Sequence, residues 1–252
     1  KGRGEFLRLM LEDQGVSYDD TDKDLYGPNG MMDAFRGAPE AVKGQVPSVS
    51  FPLLFPPAIW HRPKNGEEVM VNQAGASMIY LGDQLGYAPT TSAERARANA
   101  VLMNVMDYIA EGRRTFHPIE DKKSYKDQKE EGDKASNEWT KSRMKIFLYH
   151  FEKTVAIKGG KAPVAGGQNL TYADFALFHV LDATVSQFNT EYYDYAWDHL
   201  DVPKLKEYYD WMKTRPNLQA YFKSVRVSAP RINPYWKGWP DLYVGFILIF
   251  IS

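Results

Sequence analysis

Glu67-Glu-Val-Met-Val71 runs straight into Asn72-Gln-Ala-Gly-Ala-Ser-Met-Ile-Tyr-Leu81, and this junction decides the reading of the chain. The first segment reads as a strand. The second carries apolar residues at helical spacing and reads as a helix from about Ala74, closed by Gly82 and Gly86. Upstream, Val46-Pro-Ser-Val-Ser-Phe51 reads as a further strand and as the hairpin partner of residues 67–71. Between them, Phe55-Pro-Pro-Ala-Ile-Trp60 and His61-Arg-Pro-Lys-Asn-Gly66 read as a proline-rich loop. Nearer the start, Phe6, Leu7, Met10 and Leu11 recur at helical spacing until Gly15, and Val16 and Tyr18 open a short alternating stretch. Residues 1–86 therefore mix helix and strand.

From residue 91 the signals are helical throughout. Thr91 with Glu94 makes a capping box, and Ala98, Val101, Leu102, Val105 and Ile109 then fall on one face. The charged run from Asp121 to Lys134 reads as a solvated loop or helix start, before a helix carrying Met144, Phe147, Leu148 and Phe151. Thr171 and Asp174 form a second capping pair ahead of Phe175, Leu177 and Phe178. A further helix runs from Pro203 to Lys213, and Arg215-Pro216 breaks the chain before a last short one. Pro89 punctuates a linker near Tyr87 to Thr90. The expected domains are residues 1–86, residues 91–225 and a divergent tail, 226–252.

Composition narrows the function. The 252 residues are 44% hydrophobic and 25% charged with a net charge of -1. That is an ordinary globular profile, with no basic surplus to hold nucleic acid or an anionic membrane. With no cysteine in the chain, disulfides, thiolate metal sites and a cysteine nucleophile are excluded. Thiol chemistry here needs a thiol brought by a ligand. The tail segment Leu242-Tyr-Val-Gly-Phe-Ile-Leu-Ile-Phe-Ile251 is apolar, but a bilayer span needs about 20 residues. A tail covered by the protein itself is the leading reading. A contact with another subunit, or the opening of a span, stays open beside it.

A small α/β module with a Val-Pro ahead of a hairpin, followed by an all-helical module, resembles the cytosolic glutathione transferases. Gly2-Arg-Gly-Glu-Phe-Leu-Arg-Leu-Met-Leu-Glu-Asp-Gln-Gly-Val-Ser-Tyr18 is similar to the family's first helix and second strand, with a sigma-like opening. Val46-Pro47, Asn72 to Leu81 and Asn169-Leu-Thr-Tyr-Ala-Asp174 resemble three further family motifs, in the family's order, and the likeness spans residues 1–224. It implies α/β plus all-α architecture: an N-terminal thioredoxin-like domain followed by an all-helical C-terminal domain. It also implies a cytoplasmic homodimer with glutathione as co-substrate and no metal.

For glutathione, the resemblance makes Val46 the residue whose backbone pairs with the peptide's cysteinyl unit, and Pro47 the holder of that turn. Pro47 also reads, more plainly, as the start of a strand. Gln73 is expected to meet the γ-glutamyl end through its side chain. Ala74 opens a helix whose amides and dipole suit a carboxylate. The family usually has Ser or Thr at that place, so one hydrogen bond is lost, at about 0.5–1.5 kcal/mol. Ser77 stands where the family prefers an apolar residue. Gln45 sits beside the ligand strand. Asp107 matches an acid sent across the dimer interface, and reads equally well as a solvated helix acid. Tyr108, Arg113 and His117 are candidates for the second-substrate pocket; for His117 a helix-ending role is the stronger reading. The family's thiol-activating Tyr or Ser lies on a first strand that would precede Lys1, so no catalytic residue is named.

Other chemistries find little support. His61, His117, His150, His179 and His199 share no metal-ligand spacing. No nucleophile elbow, Walker loop or dinucleotide glycine pattern occurs. Phe188, Tyr192, Tyr193, Tyr195 and Trp197 read as helix packing, and Asn169-Leu-Thr171, formally a glycosylation sequon, as a cap. The expected function is conjugation of the glutathione thiolate to a small hydrophobic electrophile. The alternative is a non-catalytic subunit of the same fold, with the 226–252 tail meeting a protein partner. A glutathione-dependent prostaglandin-type isomerase is a third reading.

Overall fold

The computed structural model describes residues 2–21, 57–121, 123–188, 193, 195–224, 227 and 248–251. The chain divides into two compact units, one of residues 1–85 with 244–252, the other of residues 86–243.

The first unit opens with helix α1 (Glu5–Gln14). Its predicted apolar face is enclosed, with Phe6, Leu7, Met10 and Leu11 at 0% exposure. Its polar face is enclosed as well: Glu5 and Arg8 form a buried ion pair at 3.1 Å. Gly15 ends the helix in the left-handed region, φ 72°, where an L side chain clashes with its own backbone. Strand β1 (Asp19–Thr21) follows.

Strands β2 (Ala58–His61) and β3 (Val69–Asn72) form an antiparallel hairpin, with Ala58 opposite Asn72 and His61 opposite Val69. This corrects the hairpin expected from sequence. The partner of β3 comes from the stretch taken as a proline-rich loop, and residues 46–51 lie outside the described residues. Pro56-Pro57 masked the signal, because prolines mark loops. They end just before Ala58-Ile-Trp60, whose β-branched and aromatic residues suit a strand. Ala58, Ile59 and Trp60 are buried.

Strand β4 (Leu248–Ile251) comes from the far end of the chain. It lies inside the sheet, whose order is β1-β4-β2-β3. It runs antiparallel to β1 and parallel to β2. Among the described residues of the apolar tail, 248–251 are paired within this sheet.

After β3 the chain enters helix α2 (Ala74–Leu85), closed by Gly86 at φ 77°. The second unit is helical. Helix α3 (Ser92–Phe116) begins with the predicted box: Glu94 N–H donates to Thr91 Oγ1 and Thr91 N–H to the Glu94 carboxylate. The charged run builds a short 3-10 turn (Lys126–Gln128) and helix α4 (Lys129–Lys141). Ser142 separates it from α5 (Arg143–Ala156), so one expected helix is two.

Helix α6 (Tyr172–Gln187) is enclosed on nearly every side. It is anchored by Asp174, fully buried, whose carboxylate accepts from Val164 N–H (2.7 Å), Thr171 N–H (2.7 Å), Thr171 Oγ1 (3.0 Å) and Tyr208 Oη (2.9 Å). Helices α7 (Pro203–Lys213) and α8 (Pro216–Lys223) complete the unit, each with proline in its first turn. Phe188, Tyr193 and Trp197 are buried, as packing residues, while Tyr195 is partly exposed. Among the described residues, no helix is long and apolar enough to cross a membrane.

Candidate binding site

The junction that opened the sequence reading is built as a sharp corner. Gln73, between β3 and α2, has φ 70°, and is the one residue other than glycine in the left-handed region among those described. An L residue there costs roughly 1–2 kcal/mol, so the surroundings must impose it. Two contacts do so. Gln73 C=O accepts the first helical bond from Ser77 N–H at 2.8 Å. Ser77 Oγ then reaches back to Val71 C=O at 3.3 Å, tying the helix to the strand it came from. Ser77, odd at an apolar position by resemblance, is 0% exposed and staples this corner.

The corner leaves Gln73 exposed at the mouth of α2. The first amides of the helix, from Ala74 to Ala76, have no acceptor within it, and the helix dipole adds positive potential at the same end. Helix α2 has no acidic side chain in its first turn. An anionic group therefore meets donors without meeting a fixed negative charge.

The far end of the same hairpin is pinned to α2. His61 Nδ1 lies 2.7 Å from Tyr80 Oη, with the two rings edge to face. Burial lowers the His61 pKa below its ordinary value. On the opposite strand face Arg62 stacks over the Trp60 ring at 3.8 Å, and both side chains bond Glu68.

Residues 45–47, expected to supply the peptide-pairing edge, lie outside the described residues. What the structure does place is Pro57, buried immediately before β2. The hairpin thus has a proline directly ahead of its first strand, ten residues further along than the sequence reading put it. The overlooked signal was the strand-forming Ile59-Trp60 so close behind that proline.

The other candidates lie in the helical unit. Asp107 is exposed on α3, near enough to Arg143 to help hold that guanidinium charged. Arg143 itself forms a forked pair with Glu111 at 2.9 and 2.5 Å. Tyr108 is fully enclosed, its ring against Trp139, Phe147 and Phe151. Its hydroxyl lies 2.9 Å from Thr184 Oγ1, whose own proton goes to Val180 C=O, so Tyr108 is the donor. Burial pushes the phenol far up, and it stays neutral. As placed, Tyr108 packs the helical core instead of facing a ligand.

Arg113 pairs with Asp121 at 3.0 Å. His117 ends α3, its backbone N–H donating to Arg114 C=O and its ring 3.1 Å from Lys123 C=O. A hollow of about 390 Å³ in this unit is lined by residues of the two caps, Thr90, Glu94, Asn169 and Thr171 among them. None of the described candidate ligand residues borders it. No cluster of three or more metal-ligating side chains occurs among the described residues.

Residues 114–225 match the family model "Glutathione S-transferase, C-terminal domain". Over nearly its full length the chain is similar to proteins named glutathione S-transferases. It is 24% identical to glutathione S-transferase P 1 of Xenopus laevis, covering 94% of each chain. It is 27% identical to glutathione S-transferase P 2 of Bufo bufo, covering 92% of this chain and 93% of that one. Among solved structures it resembles the Fasciola hepatica sigma class transferase, with a TM-score of 0.63 at 18% identity, over 91% of this chain and 93% of that one. It also resembles the Onchocerca volvulus Pi-class enzyme, with a TM-score of 0.60 at 21% identity and 88% of both chains covered. These structural likenesses establish the fold: a thioredoxin-like N-terminal domain and a helical C-terminal one. Residues 114–225 thus match the glutathione S-transferase C-terminal domain, and over more than nine-tenths of its length the chain is similar to glutathione S-transferases.

Proposed function

We propose that the protein binds glutathione at the β3–α2 corner and conjugates its thiolate to small hydrophobic electrophiles. The observation that carries this reading is the strained Gln73. It presents an exposed amide side chain at a helix end whose first amides have no acceptor within the helix, a combination suited to the γ-glutamyl carboxylate. Pro57, ahead of β2, is the described residue best placed to shape the edge that meets the cysteinyl backbone, a role the sequence reading gave to Val46 and Pro47. Once the tripeptide is held, conjugation needs little beyond a thiolate positioned against the electrophile.

The same reading includes a homodimer. Asn104 on α3 bonds His150 on α5 at 3.1 Å, which aligns the two helices. Around that contact Met103, Ile146 and Tyr149 are 46%, 59% and 41% exposed. Asp107 lies one turn from Met103, so a partner docked there would meet it.

A binding subunit without turnover is the second reading. Ala74 favours it, because it brings no hydroxyl to the anion. Retention on immobilised glutathione, paired with conjugation of an aryl halide, separates the two. Retention with turnover supports the enzyme, retention without turnover supports the binding subunit, and no retention removes the site.

A further inference from the structure

Helix α2 carries a hydroxyl that bonds outside its own helix. A serine or threonine within a helix ordinarily donates back to a carbonyl one turn earlier in that helix. Thr154 does so on His150 C=O at 2.8 Å, and Thr184 on Val180 C=O at 2.7 Å. The corresponding carbonyl for Ser77 belongs to Gln73, and it takes the Ser77 N–H. The Ser77 hydroxyl instead reaches six residues back, to Val71 C=O in β3, at 3.3 Å. Ser77 is fully enclosed, so its proton needs an acceptor within the protein, and Val71 supplies it.

The consequence falls on Gln73. Ser77 grips the chain on both sides of that residue's Cα, at Val71 C=O before it and at Gln73 C=O after it. Any residue supplies the second grip through its amide; the first needs the hydroxyl. Gln73 lies between the two at φ 70°, a conformation a glutamine keeps only when its surroundings impose it. The Gln73 side chain and the Ala74 amide both lie beyond its N–Cα bond, so a change in φ turns them together relative to β3. Helix α2 has another tie to the hairpin, between Tyr80 and His61 at 2.7 Å. That tie acts at the other end of the ladder, because His61 pairs with Val69 while Ala58 pairs with Asn72 beside the corner. It fixes where the helix lies, and the Ser77 hydroxyl fixes the corner.

We infer that Ser77 is a positioning residue, a role that rests on the glutathione site proposed above. Its hydroxyl sets the affinity for the γ-glutamyl carboxylate by holding Gln73 in the left-handed conformation. Being 0% exposed, it does so without touching the ligand. A binding group locked in place by a supporting contact loses little freedom when it meets its ligand, and one that must first be ordered binds more weakly. The effect of the hydroxyl is therefore confined to the part of the ligand that meets the corner.

Calorimetry on the full chain with two ligands tests this. One is glutathione; the other is γ-aminobutyryl-cysteinyl-glycine, which is glutathione with a hydrogen in place of the γ-glutamyl carboxylate. Ser77→Ala should weaken glutathione binding about fivefold and change binding of the analogue by less than about twofold. Ser77→Thr, which keeps a hydroxyl, should hold glutathione affinity within about twofold of the unaltered protein. Unchanged glutathione affinity in Ser77→Ala would overturn the positioning role. Equal losses for the two ligands would overturn it too, since a general loosening of the fold weakens both alike. Either result leaves the glutathione site standing. That site fails instead if the unaltered protein binds the two ligands equally or binds neither, and the role of Ser77 falls with it.

Discussion

The two units of this molecule are held together by different means. In the helical unit, two helices announce themselves in sequence and are capped locally. Thr91 with Glu94, and Thr171 with Asp174, are three residues apart, and each pair closes its own helix. In the sheet unit, the strands come from residues 19–21, 58–61, 69–72 and 248–251, and only the middle two are near neighbours in sequence. The candidate site belongs to the second kind. Its corner is strained at Gln73 and depends on Ser77 reaching back to Val71. A unit built from local contacts tolerates change at a distance; one built from remote strands and a strained corner passes change straight to its site.

The sharpest way to break this contrast is at the helical anchor. Asp174→Ala leaves buried donors at Val164, Thr171 and Tyr208 without their acceptor, and should cost about 3 kcal/mol or more in urea unfolding followed by circular dichroism. A loss under about 1 kcal/mol would mean the helical unit does not rest on that carboxylate.

At the corner, stability and binding should move in opposite directions. Gln73→Gly removes the left-handed strain and should stabilise by up to about 1 kcal/mol. It also removes the side chain proposed to hold the ligand, so glutathione affinity by calorimetry should fall about tenfold. A variant that loses stability and keeps affinity would reverse the reading of that residue.

Tyr108→Phe removes the hydroxyl that donates to Thr184 and should cost about 1 kcal/mol, with KM for the electrophile unchanged. A raised KM would return Tyr108 to the second-substrate pocket.

The smallest effect concerns the exposed cap of α3. The Thr90 hydroxyl and the Thr91 amide hold the Glu94 carboxyl below its ordinary value of 4.5. Folded Glu94 thus binds fewer protons than unfolded Glu94. Its contribution is present above pH 4.5 and is lost as pH falls through the lowered folded value. Glu94→Gln should flatten that part of the stability profile, and an identical profile in the variant would show the cap carries no such dependence.

Legibility in the sequence follows the same division. Both capping boxes, the Gly15 stop, the Pro203 start and the Arg215-Pro216 break were readable because each is a short-range device with its own chemistry. The break at Ser142 was hidden, since nothing in the local pattern marks it. The hairpin was misplaced because Val46-Pro47 drew the pairing strand to residues 46–51 while Pro56-Pro57 marked the observed strand as loop, and pairing partners cannot be read from one strand alone. The destination of the tail was beyond sequence reasoning: an apolar run calls for cover but does not name it. At the candidate site, Gln73 and Ala74 were singled out through the helix start and the family resemblance. The positive φ and the role of Ser77 were not, because both depend on how the strand and helix fold back on each other.

The proposed glutathione site makes the head of α2 an anion cradle governed by Gln73. Titrating glutathione into 15N-labelled protein tests it most directly. Saturable shifts are expected in the amide resonances of Gln73, Ala74, Gly75 and Ala76, much weakened in Gln73→Gly. Saturable binding that leaves those four resonances still and moves others would contradict it.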